Sequence, residues 1–327
     1  MKRSIMPWAR GAKHALLKRL AERRISNTSN ADCAPDDVRT AFVIGCGRSG
    51  TTLVGEILGH HADVKYFFEP YHLWATIDPT IDVLNRHHVG PCKFLLDQQH
   101  VDAEAKRRFN RLFIDPTHRT GTGLMLEKTP FNAMRIGYLE GLTSGTKFLH
   151  LVRDGIDVSR SIDRLSNDKT FRIVGMPELN RWWGRDGCKW KALSAEGIAA
   201  GYYPEEVPLL KNYDVMGAYE WLVTLEEIDR WRSRLGDRLM EMTYDQLTAD
   251  PRASLKKICE FLGLPMSGRW FESSVSKIDK PRRNEGGSLI LPPKMCEAFN
   301  WMQARYGFAG RAVSSEPQYN RASLQLV

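Results

Sequence analysis

No stretch of the 327 residues reaches the ~18 uninterrupted apolar positions that a membrane-crossing helix needs. Residues 1–40 also lack a continuous apolar segment of the kind found in a cleavable leader. A cytoplasmic protein is therefore expected. The six cysteines (33, 46, 92, 188, 259 and 296) contain no C-x-x-C pair and read as buried or incidental thiols in a reducing compartment. No cluster of ligand residues has metal-site spacing, so no metal is expected. There is no internal repeat.

Acidic residues are scarce at one end. Residues 1–24 hold eight Lys/Arg against the single acid Glu22, a net +7 of the chain's +8. The remaining 303 residues are nearly neutral, which excludes a nucleic-acid-coating surface. Within the basic stretch Trp8, Ala12, Leu16 and Leu20 recur every four residues beside Leu17. This spacing predicts a short basic amphipathic helix that either lies on an anionic membrane surface or packs on the body.

One residue is missing where it matters most. The apolar run Phe42–Gly45 enters Cys46-Gly47-Arg48-Ser49-Gly50-Thr51-Thr52, and a helical pattern follows. Strand, Gly-rich loop and helix N-terminus together grip a phosphate through converging N–H groups and the helix dipole. Gly45 and Gly50 keep the P-loop spacing, but Thr51 stands where that loop has its Lys. The nearest cation is Arg48. Such a loop argues against ordinary ATP or GTP hydrolysis and for a different phosphate-bearing donor.

Further apolar runs at Val64–Phe68, Leu124–Leu126, Lys147–Val152 and Arg238–Met242 suit buried parallel strands. Helical patterns at Thr51–His60, Ala103–Phe113, Asn132–Leu142, Ile156–Leu165 and Val215–Leu235 alternate with them. The alternation predicts one α/β domain with a mostly parallel central sheet flanked by helices. Its expected limits are 39–312, with 168–212 as an insertion or lid. Residues 1–38 form the basic segment and linker, and 313–327 form a loose tail. The chemically suggestive residues each follow a strand: Arg48 to Thr52, Glu69, Lys128, Arg153 and Tyr244. Ligands of open α/β sheets bind at that edge.

These residues carry a resemblance. Arg48-Ser-Gly-Thr-Thr-Leu resembles the 5′-phosphosulfate loop of sulfotransferases that use 3′-phosphoadenosine 5′-phosphosulfate (PAPS). Phe148-Leu-His-Leu-Val-Arg153-Asp-Gly with Ser161 is similar to their 3′-phosphate motif. Glu127-Lys128-Thr129-Pro130 is similar to their Lys-x-Pro element. Met242-Thr-Tyr244-Asp-Gln-Leu-x-x-Asp-Pro251 and Phe261-Leu-Gly-Leu resemble their C-terminal signatures, although Asp245 replaces a Glu. The run from Arg48 through Phe67-Phe68-Glu69-Pro70 to Trp74 resembles carbohydrate 6-O-sulfotransferases, with tyrosylprotein sulfotransferases next.

The resemblance implies PAPS as donor, a carbohydrate or other hydroxyl-bearing acceptor, and a bacterial-type enzyme, cytoplasmic or on the inner membrane surface. Arg48, Ser49, Gly50, Thr51, Thr52, Arg153, Ser161 and Tyr244 would hold the cofactor, with Lys280 and Arg282 closing over the 3′-phosphate. Sulfuryl transfer to an alcohol needs a base and stabilisation of developing charge. Glu69 would be the base, and Lys128 and Arg48 the cations. Other readings stay open. Asp154 could act as a Walker-B Asp in a nucleotide kinase, or the chain could bind nucleotide or glycan without catalysis. Trp182, Trp183 and Trp190 would either stack a sugar or pack the lid.

Overall fold

Successive side chains of β1 (Arg39–Ile44) enter opposite layers of the protein. Ala41 and Val43 pack with Val54, Leu58 and Ile258, whereas Phe42 and Ile44 pack with Trp74, Phe109 and Leu139. Two-residue alternation with both faces apolar is what a strand inside a parallel sheet requires. β3 (Leu124–Lys128) splits the same way, Leu124 and Leu126 against Met125.

The computed structural model describes residues 7–26, 38–88, 90–114, 123–168, 179–266, 268–278, 289–308 and 313–315, with the side chains of the first helix from Lys13 onward. β2 is Val64–Phe68, β4 is Lys147–Val152, and two short strands, β5 (Leu179–Asn180) and β6 (Gly184–Arg185), form an antiparallel ribbon. β7 (Leu239–Thr243) completes a five-stranded sheet of order β2-β3-β1-β4-β7, parallel throughout. β8 (Ile290–Leu291) pairs with β9 (Ser314–Ser315). The α/β architecture with a flanked parallel sheet agrees with the expectation.

One face of the sheet is covered by α2 (Thr51–Gly59), α10 (Pro251–Leu262) and α11 (Gly268–Ser276). The other carries α1 (Pro7–Ser26), α3 (Tyr71–Ile77), α4 (Ala103–Phe113) and α5 (Ile136–Leu142). A third apolar cluster joins α6 (Gly155–Asn167), α7 (Cys188–Ala199), α8 (Tyr213–Leu235) and α12 (Pro293–Arg305). The short α9 (Tyr244–Ala249) leaves the end of β7 through a capping box between Thr243 and Gln246.

One segment differs from its sequence reading. The helix expected over 132–142 is broken: a 3-10 turn, Pro130–Met134, precedes α5, and Arg135 between them has φ −135°. The reason is the buried Arg135 guanidinium, which reaches the carbonyls of Ile81, Lys93 and Phe94 at 2.7–3.2 Å. Residues 179–212 supply core side chains, including Trp183 and Leu193. In α1 the packed face holds Ala21 and Ile25, while Leu16 and Leu20 are 57% and 50% exposed.

Candidate active site

All five strands of the sheet end at one edge, and the loop after β1 is bent tightly there. Gly45 has φ 138°, and a Cβ on it would lie 2.3 Å from the Leu151 carbonyl oxygen. Gly50 has φ 93°, and a Cβ there would lie 2.5 Å from the Tyr244 ring. Between them Arg48 adopts φ 75°, the left-handed region that non-glycine residues avoid. Such strain persists where surrounding structure holds it and concentrates at functional sites.

The loop gathers its partners from three other elements. Arg48 Nε donates to Ser161 Oγ at 3.0 Å, so the serine two turns into α6 does meet the loop. Arg153, just past β4, donates to the Arg48 carbonyl at 3.2 Å, and its guanidinium lies 5.0 Å from the Tyr244 ring centre. Burial pushes the Arg48 pKa down, and the neighbouring Arg153, Arg181 and Arg164 push it further. Cations held this close suit an anion. Arg164 and Arg181 carried no readable sequence signal, since they belong to no motif.

The second half of the site sits beside Thr52. Lys128 at the end of β3 is fully buried. Its Nζ donates to Glu69 Oε1 at 2.5 Å and to Thr52 Oγ1 at 2.9 Å, and lies 4.3 Å from the Phe68 ring centre. Burial lowers the Lys128 pKa, and Glu69 opposes that shift. Glu69 has φ 41° and stays about a quarter exposed. Tyr71 OH donates to Glu69 Oε2 at 3.0 Å, so each carboxylate oxygen has a donor. Tyr71 was missed in the sequence; its place two residues after Glu69, at the start of α3, was the available signal.

Beneath this pair Glu127 faces the opposite layer. It accepts from Trp74 Nε1 at 2.9 Å, Thr129 Oγ1 at 2.5 Å and Asn132 Nδ2 at 2.9 Å. Burial raises its pKa to about 7 despite those donors. The three bonds tie α3 and the 3-10 turn to β3, and so hold the backbone on either side of Glu69 and Lys128.

Other expected residues fall as follows. Thr51 is buried at the start of α2, and Ser49 Oγ is buried with no partner among the described residues. An orphaned hydroxyl in a Gly-bent loop, with Arg48 and Arg153 alongside, fits a phosphate group. Lys280 and Arg282 lie outside the described residues. Trp183 is buried and meets Trp190 edge-on, so both pack the core. Trp182 instead lies on the loop, where a Gly47 Cβ would come within 2.2 Å of its ring. Asp154 caps α6, accepting from the N–H groups of Ile156 and Asp157 at 2.8 and 3.1 Å. Its Oδ1 is thus engaged in holding the first turn of α6. Among the described residues no group of three His, Cys, Asp or Glu is placed to hold a metal.

Residues 41–185 and 201–268 match the model of the sulfotransferase family, well over half of the chain. The chain belongs to the sulfotransferase family. A curated relative, an uncharacterized protein of Aquifex aeolicus, is 22% identical over 249 residues. That match covers 73% of this chain but only 27% of the relative's length. Among solved structures, the sulfotransferase domain of the Synechococcus PCC 7002 olefin synthase is 20% identical with a TM-score of 0.44, covering 76% of this chain and 84% of that one. A Mycobacterium avium sulfotransferase is 13% identical with a TM-score of 0.45, covering 92% and 83%. A mouse sulfotransferase complexed with PAP is 12% identical with a TM-score of 0.38, covering 80% and 69%.

Proposed function

We propose that this sulfotransferase moves a sulfuryl group from PAPS to a carbohydrate hydroxyl, with Glu69 as general base. The observation that carries the reading is the position of Lys128 Nζ, bonded at once to Glu69 and to Thr52 of the phosphate loop. Base, cation and donor loop thus converge on one point. PAPS, when bound, supplies an activated sulfuryl group and a good leaving group.

The N–H groups of residues 49–52 and the Ser49, Thr51 and Thr52 hydroxyls would hold the 5′-phosphate. Arg153 and Ser161 would hold the 3′-phosphate, with Tyr244 beside the nucleoside. Lys128 and Arg48 lower the cost of negative charge as it develops. When Lys128 turns from Glu69 toward the transferred group, Glu69 Oε1 is freed of its ion-pair partner. It can then take the acceptor hydroxyl's proton, while the Tyr71 hydroxyl keeps the carboxylate oriented through Oε2. The test combines calorimetry against 3′-phosphoadenosine 5′-phosphate (PAP) and ADP with mass spectrometry of glycans incubated with PAPS. Marked preference for PAP and a sulfated glycan are expected. Equal affinity for both nucleotides would overturn the donor assignment, and sulfation of tyrosyl or small phenolic hydroxyls alone would overturn the acceptor class.

We also propose that α1 rests on an anionic membrane surface. No described helix is long and apolar enough to cross a membrane. α1, however, leaves Leu16 and Leu20 exposed among the exposed side chains of Lys13, Arg19, Arg23 and Arg24. That combination suits shallow insertion beside acidic headgroups.

A further inference from the structure

Two cysteines are neighbours outside the machinery described so far. Cys188 opens α7, and Cys92 lies in the irregular stretch 91–97 beside it. The Cys92 thiol donates to the Cys188 carbonyl at 3.5 Å, and the Cys188 thiol donates to the Val83 carbonyl at 3.1 Å. Both are unbridged and only partly buried, so a small oxidant can reach them. Their acidities differ. The neighbouring Cys188 thiol draws the Cys92 pKa down against the effect of burial, while Cys188 itself is driven up by Cys92 and by burial. Burial pushes up the thiols of Cys46, Cys259 and Cys296. Cys92 is thus the described cysteine with the most thiolate character, and the thiolate is the reactive form.

The pair is mechanically connected to the phosphate loop. Lys189, the next residue after Cys188, binds both carboxylate oxygens of Glu220 at 2.7 and 2.8 Å. Glu220 Oε2 also accepts from Trp182 Nε1 at 2.8 Å, and the Lys189 ammonium lies 3.9 Å from the Trp182 ring centre. Trp182 in turn presses on Gly47. A shift in the first turn of α7 therefore reaches the backbone on which Arg48 is strained.

We propose that Cys92 and Cys188 form an oxidation site, bridged by hydrogen peroxide into a disulfide that loosens the phosphate loop and weakens nucleotide binding. The Cys92 thiolate attacks one peroxide oxygen, the O–O bond breaks, and the sulfur becomes a sulfenic acid as the other oxygen leaves as water. The Cys188 sulfur then attacks the Cys92 sulfur. An S–S bond forms, the S–O bond breaks, and the second oxygen leaves as water with the Cys188 proton. Two electrons pass from the thiols to the peroxide, and a dithiol reductant reverses the change. Bridging requires the Cys188 sulfur to leave the Val83 carbonyl, which moves the turn that carries Lys189. The effect on nucleotide binding rests on the cofactor reading above; the bridge itself does not.

The experiment treats the full-length protein with hydrogen peroxide, blocks remaining thiols with N-ethylmaleimide, and maps peptides without reduction. A linked Cys92–Cys188 peptide is expected, together with a loss of PAP affinity of about fivefold or more. Dithiothreitol should restore the affinity. Cys92→Ser and Cys188→Ser should each bind PAP normally and ignore peroxide. Recovery of both cysteines alkylated, or of Cys92 as a sulfinic acid without a bridge, would overturn the oxidation site. A bridge that leaves PAP affinity unchanged would overturn the coupling. Absence of PAP binding before any oxidation would instead sink the cofactor reading, and the peptide map would still decide the bridge.

Discussion

Lys128 and Lys189 are two buried lysines in nearly the same chemical dress. Each is paired with a glutamate and each lies over an aromatic ring, Phe68 at 4.3 Å and Trp182 at 3.9 Å. Burial lowers the pKa of both. They differ in what surrounds the pair. Glu220 is 2% exposed and engages Lys189 through both oxygens, with Trp182 as a further donor. Glu69 is 26% exposed, uses one oxygen, and shares its lysine with Thr52. A closed pair has nowhere to send its lysine. An open pair at a strand edge can exchange its carboxylate for an incoming anion, so under the proposed function the same two residue types serve as a brace in one place and as chemistry in the other.

The largest expected effect tests the open pair. Glu69→Gln keeps shape and hydrogen bonding but cannot take a proton, so turnover should fall by roughly 10²–10⁴-fold with PAP affinity near wild type. Retention of more than about a tenth of the rate would move the base elsewhere. Lys128→Met should cost about 10²–10³-fold in turnover, as for loss of a charge-stabilising donor, with a modest loss of stability. Lys189→Met should act first on stability. It strands a buried carboxylate and should cost about 3–5 kcal/mol in urea unfolding. Equal stability losses in the two variants would erase the contrast between the pairs.

Arg153→Ala should remove most of the preference for PAP over ADP, at about 1.5–3 kcal/mol for each lost charge-assisted hydrogen bond; calorimetry with both nucleotides reads it. Glu127 offers a pH test. Its pKa is raised by burial from 4.5 to about 7. The folded protein therefore holds a proton that the unfolded chain has already released. The stability from this group is complete below 4.5 and is lost as pH rises through 7. Glu127→Gln should flatten the dependence of Tm on pH across that window, and an unchanged slope would assign it to other groups. The smallest effect concerns α1. Leu16→Gln with Leu20→Gln should weaken sedimentation with anionic vesicles and leave turnover on a soluble acceptor intact. Each basic residue near such a surface contributes about 1 kcal/mol. Vesicle binding equal to wild type would remove the surface role.

Much of the site was legible because its signals are local. The Gly-rich loop, the strand ends bearing Glu69, Lys128 and Arg153, and Ser161 two turns into the following helix each lie within a few residues of a pattern. Trp182 against Gly47 was not legible. The two are far apart in sequence, and a tryptophan in an aperiodic stretch announces no partner. Glu127 was likewise read only as part of a Lys-x-Pro element. Neighbouring residues of a strand point to opposite layers, so Lys128 faces the site while Glu127 braces its underside. The Asn132–Leu142 pattern misled because periodicity cannot register a buried guanidinium that needs three distant carbonyls.

Local chemistry along the chain therefore determined the parallel α/β class, the Gly-rich loop at the strand edge, and the residue types proposed to meet a sulfuryl donor. Only the tertiary structure decided that β3 lies between β2 and β1, which brings Lys128 against Glu69 on one side and Thr52 on the other. It also decided that α1 turns Ala21 inward and Leu16 and Leu20 outward. The reason is the same in both cases. Strand order and the choice of packed face depend on contacts between residues far apart in the chain, and no window of sequence contains both partners.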